Sequence, residues 1–495
     1  LTPQREDGAM TRPNVLLVSV DQWPGHLLGI AGHPVIQTPT LDELCRSGIR
    51  FTNAHSECPI CVPARRSLML GASPRAHGDR VYDDQLSMPR ETIAASFAAA
   101  GYQTFGVGKL HVFPQRDRIG FDDVILDEEG RAQYGVMDDY EMFLGDRGHP
   151  GQQFDHGMST DGYVHRPWHL PESLHVTNWA TQAIIRQIKR RDPTRASFWY
   201  LSYRHPHPPL VPLQSYLDLY RGAEVDTALE GDWGEPPWSV ATKRQRGEKY
   251  APAQIAEIRR AFYALCTHID HQLRLVIGTL REECLLDDTI ILFTSDHGDM
   301  LGDHGLWAKS LFYRGSTGVP MILVPPEGHP SSAPGTVDDR LVTLADVMPS
   351  LLSMVDIPVP ETCDGVNFVN GRRREAIFGE LGTGAGATRM YRTARWKLIY
   401  YPTGNRRQLF DMDSDSEERY DLAARDDHAG VLKDLTQAMI GEFHGSDKDW
   451  LTNGELTGLP DRELEPRVNR DLSSQRGHHW PPQLHSNLRQ ILNSA

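Results

Sequence analysis

Two aspartates that follow short apolar runs are the first residues in this chain that could share a chemical task. Asp21 follows the run at residues 14–20, and Asp296 follows the run Thr289–Ser295. A divalent cation needs several oxygen ligands that converge from distant parts of a chain. Because both aspartates come directly after predicted strands, their carboxylates are the best candidates for such a pair.

The elements that would position them form a recurring pattern. Four short apolar runs have the length of strands buried on both faces. They lie at residues 14–20, 198–203, Thr289–Ser295 and Met321–Val324. Between them, an apolar stripe from Ile255 to Leu280 recurs every three or four positions and predicts a long core helix. The alternation predicts an α/β fold whose mostly parallel sheet binds ligands beyond the carboxyl ends of its strands.

Cys58 and Cys61 form a Cys-x-x-Cys pair, a spacing found in redox centres and in half of a zinc site. No second Cys-x-x-Cys or His-x-His pair lies nearby in the sequence, so neither chemistry is favoured. The six cysteines of the chain are too few and too scattered for a disulfide scaffold.

The composition disfavours two classes of protein, nucleic-acid binders and membrane-spanning proteins. The 495 residues carry 51 Lys and Arg against 66 Asp and Glu, a formal charge of −15, which disfavours a nucleic-acid partner. No run of about 18 apolar residues could span a membrane, and no charged-then-apolar signal sequence is found near the N-terminus. We therefore expect a soluble, cytoplasmic protein with no membrane or nucleic-acid partner, in which residues 1–10 are a leader or tag.

The segment Cys61-Val-Pro-Ala-Arg65, with Gly71 downstream, resembles the Cys-x-Pro-x-Arg signature of type I sulfatases in the alkaline-phosphatase-like superfamily. Further matches follow in order along most of the chain. They are Asp21, the motif Gly108-Lys109-Leu110-His111, His207 in His-Pro-His-Pro-Pro, the motif Ser295-Asp296-His297-Gly298, and Lys309. The resemblance implies a large mixed, mostly parallel sheet flanked by helices, plus a small C-terminal antiparallel-sheet domain.

Changes in the sequence pattern also predict where the catalytic domain and the C-terminal domain begin and end. A change after Gly371 and short strand-like runs around residues 397–401 predict an antiparallel hairpin and then a helix near residues 429–443. We expect a catalytic domain at residues 11–372, a small α+β subdomain at 373–457, and an extended arm at 458–495.

In the sulfatase family the signature cysteine is oxidised to formylglycine by a formylglycine-generating enzyme, whose recognition element Pro63 and Arg65 fit. The resemblance implies that one hydroxyl of the aldehyde hydrate formed from Cys61 attacks sulfur while the alcohol leaves. The second hydroxyl then loses its proton, and the collapse of the hydrate expels sulfate. Arg65 would hold this nucleophile.

The resemblance also implies one divalent metal ion, Ca²⁺ or Mn²⁺. Its expected ligands are Asp21, Gln22, Asp296, His297 and an oxygen of the formylglycine formed from Cys61. Gln22 and His297 stand where many sulfatases have Asp and Asn, and an imidazole ligand shifts the preference toward a borderline metal such as Mn²⁺. The same pairs appear in choline sulfatases and phosphonate monoester hydrolases. The metal would act as a Lewis acid.

Four further residues have roles implied by the resemblance. Lys109 and Lys309 would bind the nonbridging sulfate oxygens. His207 would protonate the leaving oxygen, with His205 as the competitor for that role, and His111 would orient or deprotonate the formylglycine hydrate.

Two enzymatic reactions stay open at this point. A sulfate monoesterase is favoured, since Lys109 is kept in a motif where phosphonate monoester hydrolases generally lack a lysine. The alternative is a phosphonate monoester hydrolase or phosphodiesterase with the same site, or one enzyme that does both. An inactive relative is disfavoured, because Cys61 and both aspartates are present. A choline-type substrate would need a cage that Trp168, Trp233 or Trp238 could supply. We also expect a homo-oligomer.

Overall fold

The computed structural model describes residues 12–83, 85–130, 137–159, 162–234 and 250–464. The expected leader at 1–10 and residues 465–495 of the expected arm lie outside these ranges. The strands are β1 Asn14–Asp21, β2 Ile49–His55, β3 Gln103–Gly108, β4 Asp123–Leu126, β5 Ser197–Pro206, β6 Thr289–Ser295, β7 Met321–Val324, β8 Thr336–Thr343, β9 Ala376–Leu381, β10 Thr388–Thr393, β11 Trp396–Tyr401, β12 Arg406–Asp411, β13 Leu451–Thr452 and β14 Glu455–Leu456. The helices are α1 Pro39–Ser47, α2 Cys61–Leu70, α3 Pro74–His77, α4 Ile93–Ala99, α5 Asp139–Asp146, α6 Val176–Lys189, α7 Gln214–Leu219, α8 Pro252–Glu282, α9 Arg314–Thr317, α10 Val347–Met354 and α11 Ala429–Glu442.

The main sheet has eight strands in the order β4-β3-β5-β1-β6-β7-β2-β8. Only β7 runs antiparallel to its neighbours β6 and β2; the other pairs are parallel. All eight residues of β1 are buried, as expected for a central strand covered on both faces. The predicted large, mostly parallel sheet is confirmed.

Alternate residues of β1 point into two separate apolar cores, one on each face of the sheet. Leu16 and Val18 pack with the stripe of α8, while Val15 and Leu17 pack with residues of α2, α4 and α10. This is the period of two that a strand requires. The predicted long core helix is α8, and its stripe packs as expected.

A separate antiparallel sheet follows in the order β12-β11-β10-β9, with α11 packed against it. Its β11–β12 hairpin turns at residues 402–405, where the sequence predicts a turn. A buried ion pair stabilises this region. Nε and Nη2 of Arg389 each donate to one oxygen of the Asp447 carboxylate at 2.7 Å. The predicted small C-terminal antiparallel sheet is confirmed.

None of the helices in the described ranges combines the length and the apolar character that crossing a bilayer demands.

Candidate active site

Asp21 and Asp296 meet because their strands are parallel neighbours. In the pairing of β1 with β6, Val20 lies opposite Ser295, so the next residue of each strand emerges at the same sheet edge. Gln22 then takes a left-handed conformation (φ 73°), which turns the chain sharply. Its backbone N–H donates to Asp296 Oδ1 at 3.1 Å and links the two strand ends. The predicted juxtaposition of the two carboxylates is therefore present.

Cys61 joins them from the first turn of α2. Its Sγ lies 3.3 Å from His297 Nε2 and 3.0 Å from Lys309 Nζ. One ligand atom from each of Asp21, Cys61, Asp296 and His297 lies within 4.8 Å of all the others, and all four residues are buried. Two oxygens, one nitrogen and one sulfur thus converge on a single point.

This group of four is suited to a cation. His297 Nδ1 lies 3.0 Å from the Gly298 carbonyl, which can only accept, so Nδ1 carries a proton there and Nε2 faces the two carboxylates at 3.7–3.8 Å. Asp21 Oδ1 is buried and has no hydrogen-bond donor among the described residues. Although burial opposes a charged imidazole, Asp296 raises the pKa of His297. The residues present therefore fit a divalent metal ion.

Arg65 connects the ends of four neighbouring strands. Its Nε donates to Asp296 Oδ2 at 3.0 Å and its Nη2 to Asp21 Oδ2 at 3.1 Å. Its Nη1 donates to the Lys109 carbonyl at 2.7 Å and to Ser202 Oγ at 2.8 Å. These contacts hold the carboxylates in place, and a role for Arg65 in holding the nucleophile stays a prediction.

The two predicted lysines lie on either side of the group of four. The buried Lys109 Nζ is 2.6 Å from Asp21 Oδ2 and 3.0 Å from Glu129 Oε1. Lys309 is only half-buried, and its Nζ contacts Cys61 Sγ and Gln22 Oε1. One lysine is therefore paired with carboxylates, whereas the other directs its charge at Cys61 Sγ.

The charges around Cys61 favour an anion at that position. Burial acts to raise the pKa of the Cys61 thiol, and Asp21 adds to that effect. Lys309, Lys109 and His297 together outweigh both and lower the pKa below its ordinary value. Cationic neighbours that stabilise a thiolate would equally stabilise an oxyanion formed there.

Gln22 lies at the edge of the site. Its Oε1 accepts from Lys309 Nζ at 2.9 Å, and its Nε2 donates to Tyr163 Oη at 3.0 Å and to Asp299. Tyr163 also donates to Asp299. The amide is thus oriented with its oxygen toward Lys309, and its role as a metal ligand stays a prediction.

The two histidines proposed for the acid role face different surroundings. His207 Nδ1 lies 2.6 Å from the Pro208 carbonyl and 3.6 Å from Glu129 Oε1, beside the lysine site. His205 Nδ1 instead donates to the His207 carbonyl at 3.1 Å, and its ring centroid lies 5.4 Å from that of His175. The geometry therefore places His207, and not His205, next to Glu129, which also contacts Lys109.

Two acidic residues that follow β4 contact the site residues and were not predicted from the sequence. Glu128 Oε2 lies 2.5 Å from His111 Nδ1, and its Oε1 accepts from the backbone N–H of His111 at 2.9 Å. Glu129 contacts both Lys109 and His207. Both residues come shortly after β4, much as Asp21 and Asp296 lie at the ends of β1 and β6, but β4 itself was not predicted from the sequence.

The remaining sequence candidates do not join the site. Cys58 is buried in an apolar cluster beside Leu311 and is a free thiol, so the Cys-x-x-Cys pair does not act as a unit. Trp168 is buried in a small apolar cluster, and Trp233 stacks on Tyr313 with ring centroids 5.0 Å apart. Trp238 lies outside the described residues. The two described tryptophans therefore serve packing.

Comparison with known proteins identifies the family of the chain. The family model described as Sulfatase matches residues 13–357, and a second, for the N-sulphoglucosamine sulphohydrolase C-terminal region, matches residues 302–443. The chain is 32% identical over 471 residues to an arylsulfatase of Clostridium perfringens, which covers 90% of this chain and 97% of that protein. It is 31% identical over 439 residues to a choline-sulfatase of Rhizobium meliloti, covering 83% and 82%.

Comparison with a solved structure shows that the similarity includes the fold. The phosphonate monoester hydrolase of Agrobacterium radiobacter superposes with a TM-score of 0.73 at 22% identity, over 90% of this chain and 100% of that one. The predicted placement in the alkaline-phosphatase-like superfamily is confirmed. The chain belongs to the sulfatase family and is a sulfuric ester hydrolase.

Proposed function

We propose that this enzyme hydrolyses sulfate monoesters at a formylglycine formed from Cys61, with one divalent metal ion held by Asp21, Gln22, Asp296 and His297. The observation that carries the proposal is the convergence of four buried ligand atoms within 4.8 Å, with Cys61 among them. When present, the formylglycine hydrate supplies an oxygen nucleophile and the ion supplies a Lewis acid.

Lys109 and Lys309 bind the sulfate group from the two sides of position 61. Lys309 Nζ lies 3.0 Å from Cys61 Sγ, so it reaches the nonbridging oxygens of a sulfate that is attacked there. Lys109 is fixed by Asp21 and Glu129 and carries its charge within the same pocket. Fixed cations of this kind favour the transition state, in which negative charge moves onto these oxygens.

His207 transfers a proton to the leaving oxygen. Burial and Lys309 lower the pKa of His207, while the nearby Glu129 carboxylate acts in the opposite direction. A bound sulfate monoester adds a further negative charge, and this also favours the protonated imidazole. His111, held by Glu128 on its Nδ1 side, is oriented by that contact and takes a proton from the nucleophile.

The proposal is tested with a nitrophenyl sulfate and a nitrophenyl phenylphosphonate on one preparation, with Cys61→Ala and Cys61→Ser as controls. We expect a large preference for the sulfate that is lost in both controls, and peptide mass spectrometry that shows an aldehyde at position 61. A preference for the phosphonate would assign the chain to the phosphonate monoester hydrolase reaction instead.

The acid role of His207 has its own readout. His207→Asn should slow esters of poorly acidic alcohols far more than nitrophenyl sulfate, because a good leaving group needs no proton. An equal loss for both kinds of ester would contradict the assignment.

A further inference from the structure

A cavity of about 280 Å³ lies between the main sheet and the small C-terminal sheet. Its walls come from β2, from the loop after β1, from α9 and from β10 and β11. None of the residues that we assign to the Cys61 site lines it. It is therefore a separate feature of the molecule.

The wall of this cavity is strongly cationic. Arg50, Arg314, Arg392 and Lys397 all line it, and no carboxylate does. Lys397 is neutralised by contact with Glu418. The other three form no ion pair with any residue in the described ranges. Three arginines thus line one cavity without an ion pair in the described ranges, although Glu418 and Asp413 act on Arg392 from a greater distance. Such an excess of buried positive charge is costly unless an anion is bound.

A neighbouring cavity of about 250 Å³ gives a comparison within the same protein. It shares His26 and Arg314 with the first cavity, but its wall also carries four carboxylates. These are Asp226, Asp303, Glu417 and Glu418. The excess of positive charge is therefore particular to the first cavity and is not a general property of this region.

Unsatisfied hydrogen-bonding groups line the same cavity. His55 is only 7% exposed, and neither of its ring nitrogens has a hydrogen-bond partner among the described residues. Nε of the buried Arg392 has none either. Burial lowers the pKa of His55, and Arg392, Lys397 and Arg314 lower it further. Burial also lowers the pKa of Arg392, to about 10.

We propose that this cavity is a binding site for a tetrahedral inorganic oxyanion, phosphate or sulfate, distinct from the Cys61 site. Such an anion accepts several hydrogen bonds at once, which matches Nε of Arg392 and an N–H of His55. Nη1 of Arg392 already donates to the carbonyls of Thr393 and Ala394, and these bonds fix the guanidinium. It also supplies negative charge inside a cavity whose wall holds no carboxylate. Because β2 and β10 belong to different sheets, the bound anion fastens the small sheet to the main one.

The test is isothermal titration calorimetry of the full chain with phosphate and with sulfate, at an ionic strength held constant with chloride. We expect saturable binding that weakens about tenfold or more in Arg50→Gln and in Arg392→Gln, since each loses a charged hydrogen-bond donor. Arg373→Gln removes the same charge from an exposed arginine paired with Asp339, and should change the affinity by less than about twofold.

Two further results separate this site from the catalytic one. Lys309→Gln should leave the binding intact. Binding that is lost in Lys309→Gln but kept in Arg50→Gln would place the anion at Cys61 and overturn the proposal, as would the absence of saturable binding. Should Arg392→Gln fail to fold by circular dichroism, Arg50→Gln decides alone, since that half-buried residue has no ion pair to lose.

Discussion

Replacing Lys309 with Gln removes one charge from the proposed site with little disturbance of the fold. Lys309 is half-buried, and its contacts are with Gln22 Oε1 at 2.9 Å and Cys61 Sγ at 3.0 Å. Losing a hydrogen bond to a neutral partner costs about 1 kcal/mol of the free energy of unfolding. The effect on catalysis should be much larger than that.

The size of the catalytic effect follows from the distance. Lys309 Nζ lies 3.0 Å from Cys61 Sγ, and we take this as its distance from an oxygen of a sulfate bound there. Two unit charges at that distance interact by about 5.5 kcal/mol at an effective dielectric constant of about 20. If the charge on the sulfate oxygens grows by about half a unit in the transition state, Lys309 lowers the barrier by about 2.7 kcal/mol, or about 100-fold in rate. Removing an oxyanion donor from other enzymes costs about 10²–10³-fold, which agrees.

The assay is kcat/KM for nitrophenyl sulfate together with the midpoint of thermal unfolding. Lys189→Gln is the matched control, because that lysine is 48% exposed and pairs with Glu282 at 3.6 Å on the surface. We expect kcat/KM to fall about 100-fold in Lys309→Gln and to stay unchanged in the control. A fall of less than about tenfold in Lys309→Gln would refute the electrostatic argument, as would an equal fall in both variants.

Three further predictions concern the metal, the pH dependence and the small sheet. Chelation should abolish activity and lower the unfolding midpoint, since Asp21 and Asp296 then lose the cation between them; readdition of Ca²⁺ or Mn²⁺ identifies the ion, and full activity in metal-free protein would contradict this. Burial raises the pKa of Glu57 from 4.5 to about 7, so its contribution to stability is complete below pH 4.5 and is lost as the pH rises through about 7. Calorimetry should therefore show Glu57→Gln gaining stability relative to the parent across that range, and parallel curves would oppose it. Asp447→Asn strands the buried Arg389 and should cost about 3–5 kcal/mol in urea unfolding, whereas Asp461→Asn, at the exposed pair with Arg406, should cost less than about 1 kcal/mol; equal costs would contradict the argument.

The central strands could be predicted because they are buried on both faces. Thr289–Ser295 and Met321–Val324 have in the structure the bounds that their apolar runs predict. β4 was missed, since its four residues are mostly half-buried and form no distinct apolar run. Glu128 and Glu129, which follow it, were missed with it.

The meeting of Asp21 with Asp296 could likewise be predicted, because it depends only on two strands ending at one edge. Contacts that depend on exact register could not. No pattern in the sequence singles out Ser202. Its hydroxyl nevertheless accepts a hydrogen bond from Arg65, because β5 lies beside β1. Tyr163 reaches Gln22 across 141 positions of the chain. The roles of the individual site residues stay predictions until the variants above are measured.

The burial of Cys61 determines whether an enzyme could modify this residue before or after the chain folds. In the folded protein Cys61 is 2% exposed, and every residue of α2 is buried. A protein-sized catalyst cannot reach such a side chain, so an enzyme that modifies Cys61 must finish before α2 packs under the sheet edge. We therefore expect folding to compete in time with the conversion that we propose for Cys61, so that conditions that delay folding increase the fraction of molecules that are converted.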